Sequence, residues 1–333
     1  MFSNDFEKEM LSAARFGGSR TAFRFSWSFS RERLFRQCRR AFFIDCFLSQ
    51  GGWDPSAHPL IRSAYVEKQR LPFPLWLSRT VRDGIREGLK KALAQPPDAR
   101  RKAFSSGFLR FVSGKLFDLE FSMSRKEYLD DPKRPCLREC VEGEKLPFSA
   151  LRPQAVSAFG TAHGLLTESP LFQELLPLDV MNFRFGDDLI SLPFDPCPVW
   201  FAPGLIFFLS NKFHMLLPSA SGAEGETPGF PSAAAVSAAL FDLHIRSKWK
   251  SEEPTVTHLF RFGPDAAGME EISPAPGLPD RIRSGAGEMF SLIRPDGSVF
   301  FGDFPKTGEP GGCASCRFAG TCRMLDEWAG RHC

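Results

Sequence analysis

The chain has 333 residues, 43% of them hydrophobic and 24% charged, which excludes wholesale disorder and supplies enough apolar side chain for a sizeable core. The net charge of +3 hides an asymmetry: residues 1–120 hold 22 Lys/Arg against 12 Asp/Glu, and the rest hold 20 against 27. A basic first third suits a polyanionic partner such as nucleic acid, although a solvated helical surface has the same composition.

Taken in order, the first 18 residues carry Asp5, Glu7 and Glu9 and lack an apolar run, so no signal peptide is expected. Ser28 or Ser30 can cap a helix on which Leu34, Phe35, Cys38, Phe42 and Phe43 recur at helical spacing. Residues 50–55 form a Gly- and Pro-containing loop. Val81, Ile85, Leu89 and Leu93 mark an amphipathic helix over 78–93, ended by Pro96-Pro97. Helices are also expected over 99–118 and 151–166. From about residue 180 the pattern changes to strands at 183–185, 189–192 and 205–209. A Ser/Ala/Gly-rich loop over 218–231, a helix over 233–250, a strand over 255–262, a loop over 263–279 and a helix over 279–293 follow. The apolar stretch 199–209 is broken by Pro203 and Gly204 and is shorter than the ~20 residues of a membrane span, so a cytoplasmic protein without membrane contact is expected.

Nine cysteines in a long chain without a secretion signal argue against a disulfide framework. Cys313-Ala-Ser-Cys316, followed five residues later by Cys322, can bring three thiolates to one metal centre, and zinc and iron–sulfur both suit that spacing. The fourth ligand is open among Cys38, Cys46, Cys136, Cys140, Cys333 and His332. Cys136 and Cys140 could form a second pair but read better as free thiols.

One segment resembles a known family. Ser28-Phe29-Ser30, Leu34 and Gln37-Cys38-Arg39-Arg40-Ala41-Phe42-Phe43 resemble the S-x-S…C-P-R-x-Y/F entry helix of the RecB/AddB-like branch of PD-(D/E)XK nucleases, whose iron–sulfur members pair that early Cys with a C-terminal C-x2-C-x5-C. Gly51-Gly52-Trp53 and Phe304-Pro305 ahead of the last cysteines add to the likeness, which spans roughly residues 25–323. The resemblance implies an α/β fold: a central mixed sheet flanked by helices (a restriction-endonuclease-like core), a helical insertion and a C-terminal Fe–S knot. It divides a single domain, 1–333, into an entry segment 1–50 with the first Cys, an insertion 54–180, a nuclease-like sheet 181–262 and a last helix with the cysteines, 280–333. It also implies Cys38 as the fourth ligand, beside Cys313, Cys316 and Cys322, of a structural 4Fe–4S cluster.

The family's catalytic pattern is a helix with G-x-x-x-H, a strand with Asp, a strand ending in D/E-x-K, and a helix with Q-x-x-x-Y. Its carboxylates hold Mg²⁺ or Mn²⁺, which activates water and neutralises the scissile phosphate. Laid on this chain, the Asp and metal ligand is Asp195, and the Lys is Lys212 on a strand over 207–212. Ser210 stands at the second carboxylate, Arg82 at the His, and Ser237 and Phe241 at the Gln and Tyr. Glu174 or Asp188 could supply a displaced carboxylate. His163 lies too late to be the missing His. A site short of a carboxylate and with an added Arg binds a divalent ion poorly. The expectation is therefore a DNA-binding iron–sulfur protein with an inactive or impaired nuclease core. The alternatives are an active Mg²⁺-dependent exonuclease or endonuclease in DNA repair or phage defence, and a non-catalytic scaffold subunit of a helicase–nuclease complex.

Overall fold

The computed structural model describes residues 25–142, 145–185, 189–222, 230–264, 267–295, 299–306, 313 and 316–332. Helix α1, Phe29–Gln37, starts where the Ser28 side chain accepts the Arg31 N–H. The single helical face expected through Phe43 is interrupted: Cys38 is extended (φ −161°, ψ 113°), and α2, Arg39–Phe43, restarts after it. The interruption has a tertiary cause. The Arg40 N–H, an orphan donor of the new first turn, is accepted by Pro305 O at 3.2 Å.

Helices α3 (Pro59–Gln69), α4 (Phe73–Leu93), α5 (Arg100–Arg125), α6 (Phe148–Glu168) and α7 (Pro170–Leu175) follow. Strand β1 is Phe183–Arg184; β2 (Ile190–Leu192) and β3 (Val199–Phe201) form their own antiparallel pair. Strand β4, Leu205–Leu209, and β5, Lys212–Ala220, form a hairpin. Helix α8, Ala233–Trp249, then carries the chain over to β6, Val256–Phe262, which lies parallel to β5; β7, Gly268–Glu271, closes the sheet antiparallel to β6. Helices α9 (Leu278–Phe290) and α10 (Ala319–His332) complete the fold.

The main sheet runs β1-β4-β5-β6-β7 and is mixed. Strand alternation sends its two faces to different cores. Leu205, Phe207 and Leu216 pack with Leu77, Val81 and Ile85 of α4 and Phe159 of α6. Ile206 and Met215 pack with Leu240 of α8, Ile282 of α9 and the Phe42–Phe304–Phe318 group. The fold is thus mixed α/β with helices on both faces of one sheet. Helix α4 lies within the expected insertion 54–180 yet packs directly on the sheet. Three other expectations need correction. The strand over 207–212 is split at Ser210-Asn211, both at positive φ (48° and 63°), a two-residue turn whose backbone twist matches a hairpin. The loop expected over 218–231 starts later, because β5 continues through Ala220. The loop expected over 263–279 contains β7. Among the described residues no helix is long and apolar enough to cross a membrane.

Candidate metal centre and strand-borne site residues

The last segment is docked on the first by polar ties buried at the seam. The Asp45 carboxylate, 6% exposed, accepts from Arg317 Nη2 at 2.5 Å and faces Lys68 Nζ at 3.6 Å. The Glu67 carboxylate accepts the Thr321 N–H at 3.2 Å, supplying negative charge to the positive end of α10. A Cβ at Gly320 would stand 2.3 Å from Glu67 Oε1, so a larger residue there would push this carboxylate aside. Arg40 Nε donates to Phe304 O at 2.8 Å, and its guanidinium lies 3.9 Å from the centre of the Phe301 ring.

These ties dock the segment that carries Cys316 and Cys322 on the core that Cys38 also touches. Cys38, Cys316 and Cys322 all pack against the same core, and the thiols of Cys316 and Cys322 both lie within electrostatic range of Cys38. Burial pushes the Cys322 thiol up to about 11, opposed by the Lys306 and Arg40 cations, and raises Cys316 as well. The Phe318 N–H points at Cys316 Sγ at 3.4 Å, a hydrogen bond that favours the thiolate. Arg40 is itself pulled down by burial, against the pull of Cys322, Asp326 and Cys38. The chemistry of this donor set suits a soft, thiolate-bound metal. Cys313 is exposed, and among the described residues no three Cys, His, Asp or Glu side chains converge closely enough to hold an ion.

The other candidate ligands sit elsewhere. Cys46 is wholly buried in the apolar core, and its thiol is pushed up to about 12 by burial. Cys136 is likewise pushed up to about 12, with Cys140 nearby. Cys333 lies outside the described residues.

The nuclease-motif residues do not meet at one place. Asp195 is exposed in the turn between β2 and β3, off the main sheet. Ser210 is the first residue of the β4–β5 turn, and Lys212 opens β5, exposed. Arg82 is half-buried on α4, its Nε bonded to Asp83 at 2.8 Å. One turn earlier on that helix, Ser78 Oγ accepts the Ala220 N–H at 2.8 Å. At Ser78, helix α4 therefore meets the far end of β5, roughly 26 Å of strand away from Lys212, and farther along the helix Arg86 Nη2 donates to Gly204 O at 3.1 Å beside β4. Glu174 is exposed, and Asp188 lies outside the described residues. His163 is an ordinary helix histidine, 2.9 Å from Ser105 Oγ and stacked on Phe104.

What the sequence reading missed is a buried histidine pair at the lysine end. His214 Nδ1 of β5 lies 3.0 Å from His258 Nε2 of β6, and His214 Nε2 lies 3.1 Å from Leu209 O. A carbonyl only accepts, so His214 carries its proton on Nε2 and takes the His258 Nε2–H on Nδ1. Burial, then the neighbouring His214, lowers His258 to about 4. The signal available beforehand was one histidine in each of two apolar stretches, 213–217 and 256–262; that these stretches adjoin is a tertiary property. No protein-family model matches the chain, and neither does any curated protein.

Proposed function

We propose that the chain is a nucleic-acid-binding protein on a RecB-like PD-(D/E)XK framework that has lost metal-dependent cleavage, its two ends joined at a four-cysteine iron–sulfur centre. Helix α4, strands β4 and β5 and helix α8 occur in the helix–strand–strand–helix order of the family pattern on a mixed sheet flanked by helices, with α5–α7 and β1–β3 inserted between α4 and β4 and with Asp195, the residue laid on the first strand, off this sheet. The observation that carries the loss of cleavage is that β4, β5 and β6 contain no Asp or Glu at all. The strand leading into α8 ends in Pro218-Ser219-Ala220, which offers neither a carboxylate nor an amine. A Mg²⁺ site leans on one or two carboxylates, and neutral side chains contribute no charge to it.

Cys38, Cys313, Cys316 and Cys322 would hold the cluster, and Arg40 and Lys306 beside Cys322 would offset thiolate charge. When bound, the cluster supplies a cross-link between distant parts of the chain, whose removal frees a long loop in the unfolded state. The excess of cations in the first third supports a phosphate-bearing partner.

The test is one anaerobic preparation assayed twice. Iron and acid-labile sulfide in equal amounts, lost in Cys38→Ser, are expected; zinc, or no metal, would remove the iron–sulfur part of the reading. With labelled single- and double-stranded DNA, the expected result is a complex that forms in EDTA and no product with Mg²⁺ or Mn²⁺. Cleavage abolished by Asp195→Ala or Lys212→Ala would establish the active nuclease instead.

A further inference from the structure

On the sheet face carrying α4 and α5, the two helices approach closely enough that a Cβ on Gly107 would stand 3.0 Å from Gly88 Cα. Beside this crossing they enclose an open groove of about 620 Å³, whose lining includes Lys90, Lys91, Arg110 and Lys115 against only Glu87 and Asp118. Gly114 also lines it, and there a Cβ would meet nothing. Packing does not call for glycine at this mid-helix position, where it is less favourable than Ala by roughly 0.5–1 kcal/mol. Its effect is to lower the helix surface at the middle of the groove.

Aromatic rings continue the same outward face of α5. Phe117 is 66% exposed and stacks against Phe121 with ring centres 6.3 Å apart, and the Arg125 guanidinium lies 4.4 Å from the Phe121 ring centre. Lys115 stands 5.6 Å from the ring of Phe111 within the groove. Cations thus alternate along roughly 22 Å of helix with one exposed ring, Phe117, and two half-buried ones, Phe111 and Phe121, a pattern in which ammonium and guanidinium groups can meet phosphates and the open face of Phe117 can take an unstacked base. A duplex keeps its base faces inside its own stack and leaves those rings unused.

We propose that the α4–α5 groove and the adjoining phenyl stripe of α5 seat a single strand of nucleic acid. The inference rests on the reading of the chain as nucleic-acid-binding and adds the strand state and the surface. Three groove cations, Lys91, Arg110 and Lys115, account for about 2 of the slope of log K against log salt, at about 0.7 per phosphate neutralised on a single strand.

The experiment is a fluorescence-anisotropy titration of labelled dT20, and of a labelled duplex of equal length, with the full chain across a salt series. Replacing Lys91, Arg110 and Lys115 together by Ala is expected to weaken dT20 binding at least tenfold and to flatten the salt slope by about 2. Phe117→Ala with Phe121→Ala is expected to weaken dT20 at least tenfold while sparing the duplex. Gly114→Leu, which fills the groove with a better helix former, should weaken dT20 while the urea midpoint holds or rises. If the wild type binds dT20 and these variants bind it equally well, the groove is rejected and the nucleic-acid reading stands. If the wild type binds neither DNA at low salt, both fall. Binding to phosphatidylserine vesicles that is lost in the same variants, with dT20 binding kept, would assign the groove to an anionic membrane surface and overturn the proposal.

Discussion

Asp45 and His258 are two buried polar residues with opposite requirements. Asp45 faces two cations from different segments, Arg317 and Lys68; leaving those cations short of their partner is expensive in a buried setting. Asp45→Ala is expected to lower unfolding stability by about 3 kcal/mol in urea titration and to speed amide exchange in α10 first. His258 is held neutral by burial at about 4, against an ordinary value of 6.5. Its folded value is depressed, so the stability it contributes is complete above about 6.5 and is lost as pH falls toward 4. From pH 7 to pH 5 the loss from this residue is about 2 kcal/mol. His258→Gln, which keeps a donor toward His214, should remove most of that slope in chemical denaturation; an unchanged slope would reject the assignment. Glu32 and Glu67, raised by burial, act with the opposite sign: they stabilise the native state as pH falls through the carboxylate range. Comparing the variant with wild type cancels them. Cys46 and His163 sit in packed surroundings, and this was legible because burial follows from apolar neighbours in sequence. It did not find Asp45, since its partner Arg317 lies far along the chain.

At the scale of elements, the hairpin turn changes what Lys212 can do. Ser210 and Asn211 both take left-handed backbone without a glycine, so no Asn-Gly signal marked the turn and the residues read as one strand. Replacing Ser210-Asn211 with Asn-Gly should therefore stabilise the protein by about 0.5 kcal/mol or more, read as a rise in melting temperature. Ser210→Asp should not produce Mg²⁺-dependent cleavage, because the turn is at the far end of β5 from the Ser78–Ala220 contact; cleavage gained by that variant would restore the original motif placement. The interrupted helix at Cys38 was illegible for a different reason. Its periodicity is continuous, and the break answers to Pro305, more than two hundred residues later. By contrast α8, β4 and β6 were legible because each buries a pattern of its own.

For the whole molecule, the sequence indicated helices first, strands later and a cysteine group at the end. It did not indicate that α4 belongs to the sheet or that the sheet faces two separate cores, since face sharing is a tertiary property. The joined ends set the last prediction: if the proposed cysteine-held metal is bound, its chelation should lower the melting temperature and expose α10 amides before those of β4–β6, read by hydrogen exchange. Simultaneous exposure of both would mean that the cysteine centre stabilises the sheet directly.

The same seam imposes an order on biosynthesis. Phe42, Phe43 and Phe47 are made early, but they are covered by Phe301, Phe304 and Phe318. A nascent chain emerging at ~5–20 residues per second can assemble the α4–α6 side of the sheet from residues 73–262. It must hold its opening aromatic cluster uncovered until residue 318 has left the ribosome tunnel, a window of roughly 15–60 seconds at those speeds in which a chaperone that shields phenyl groups has something to hold.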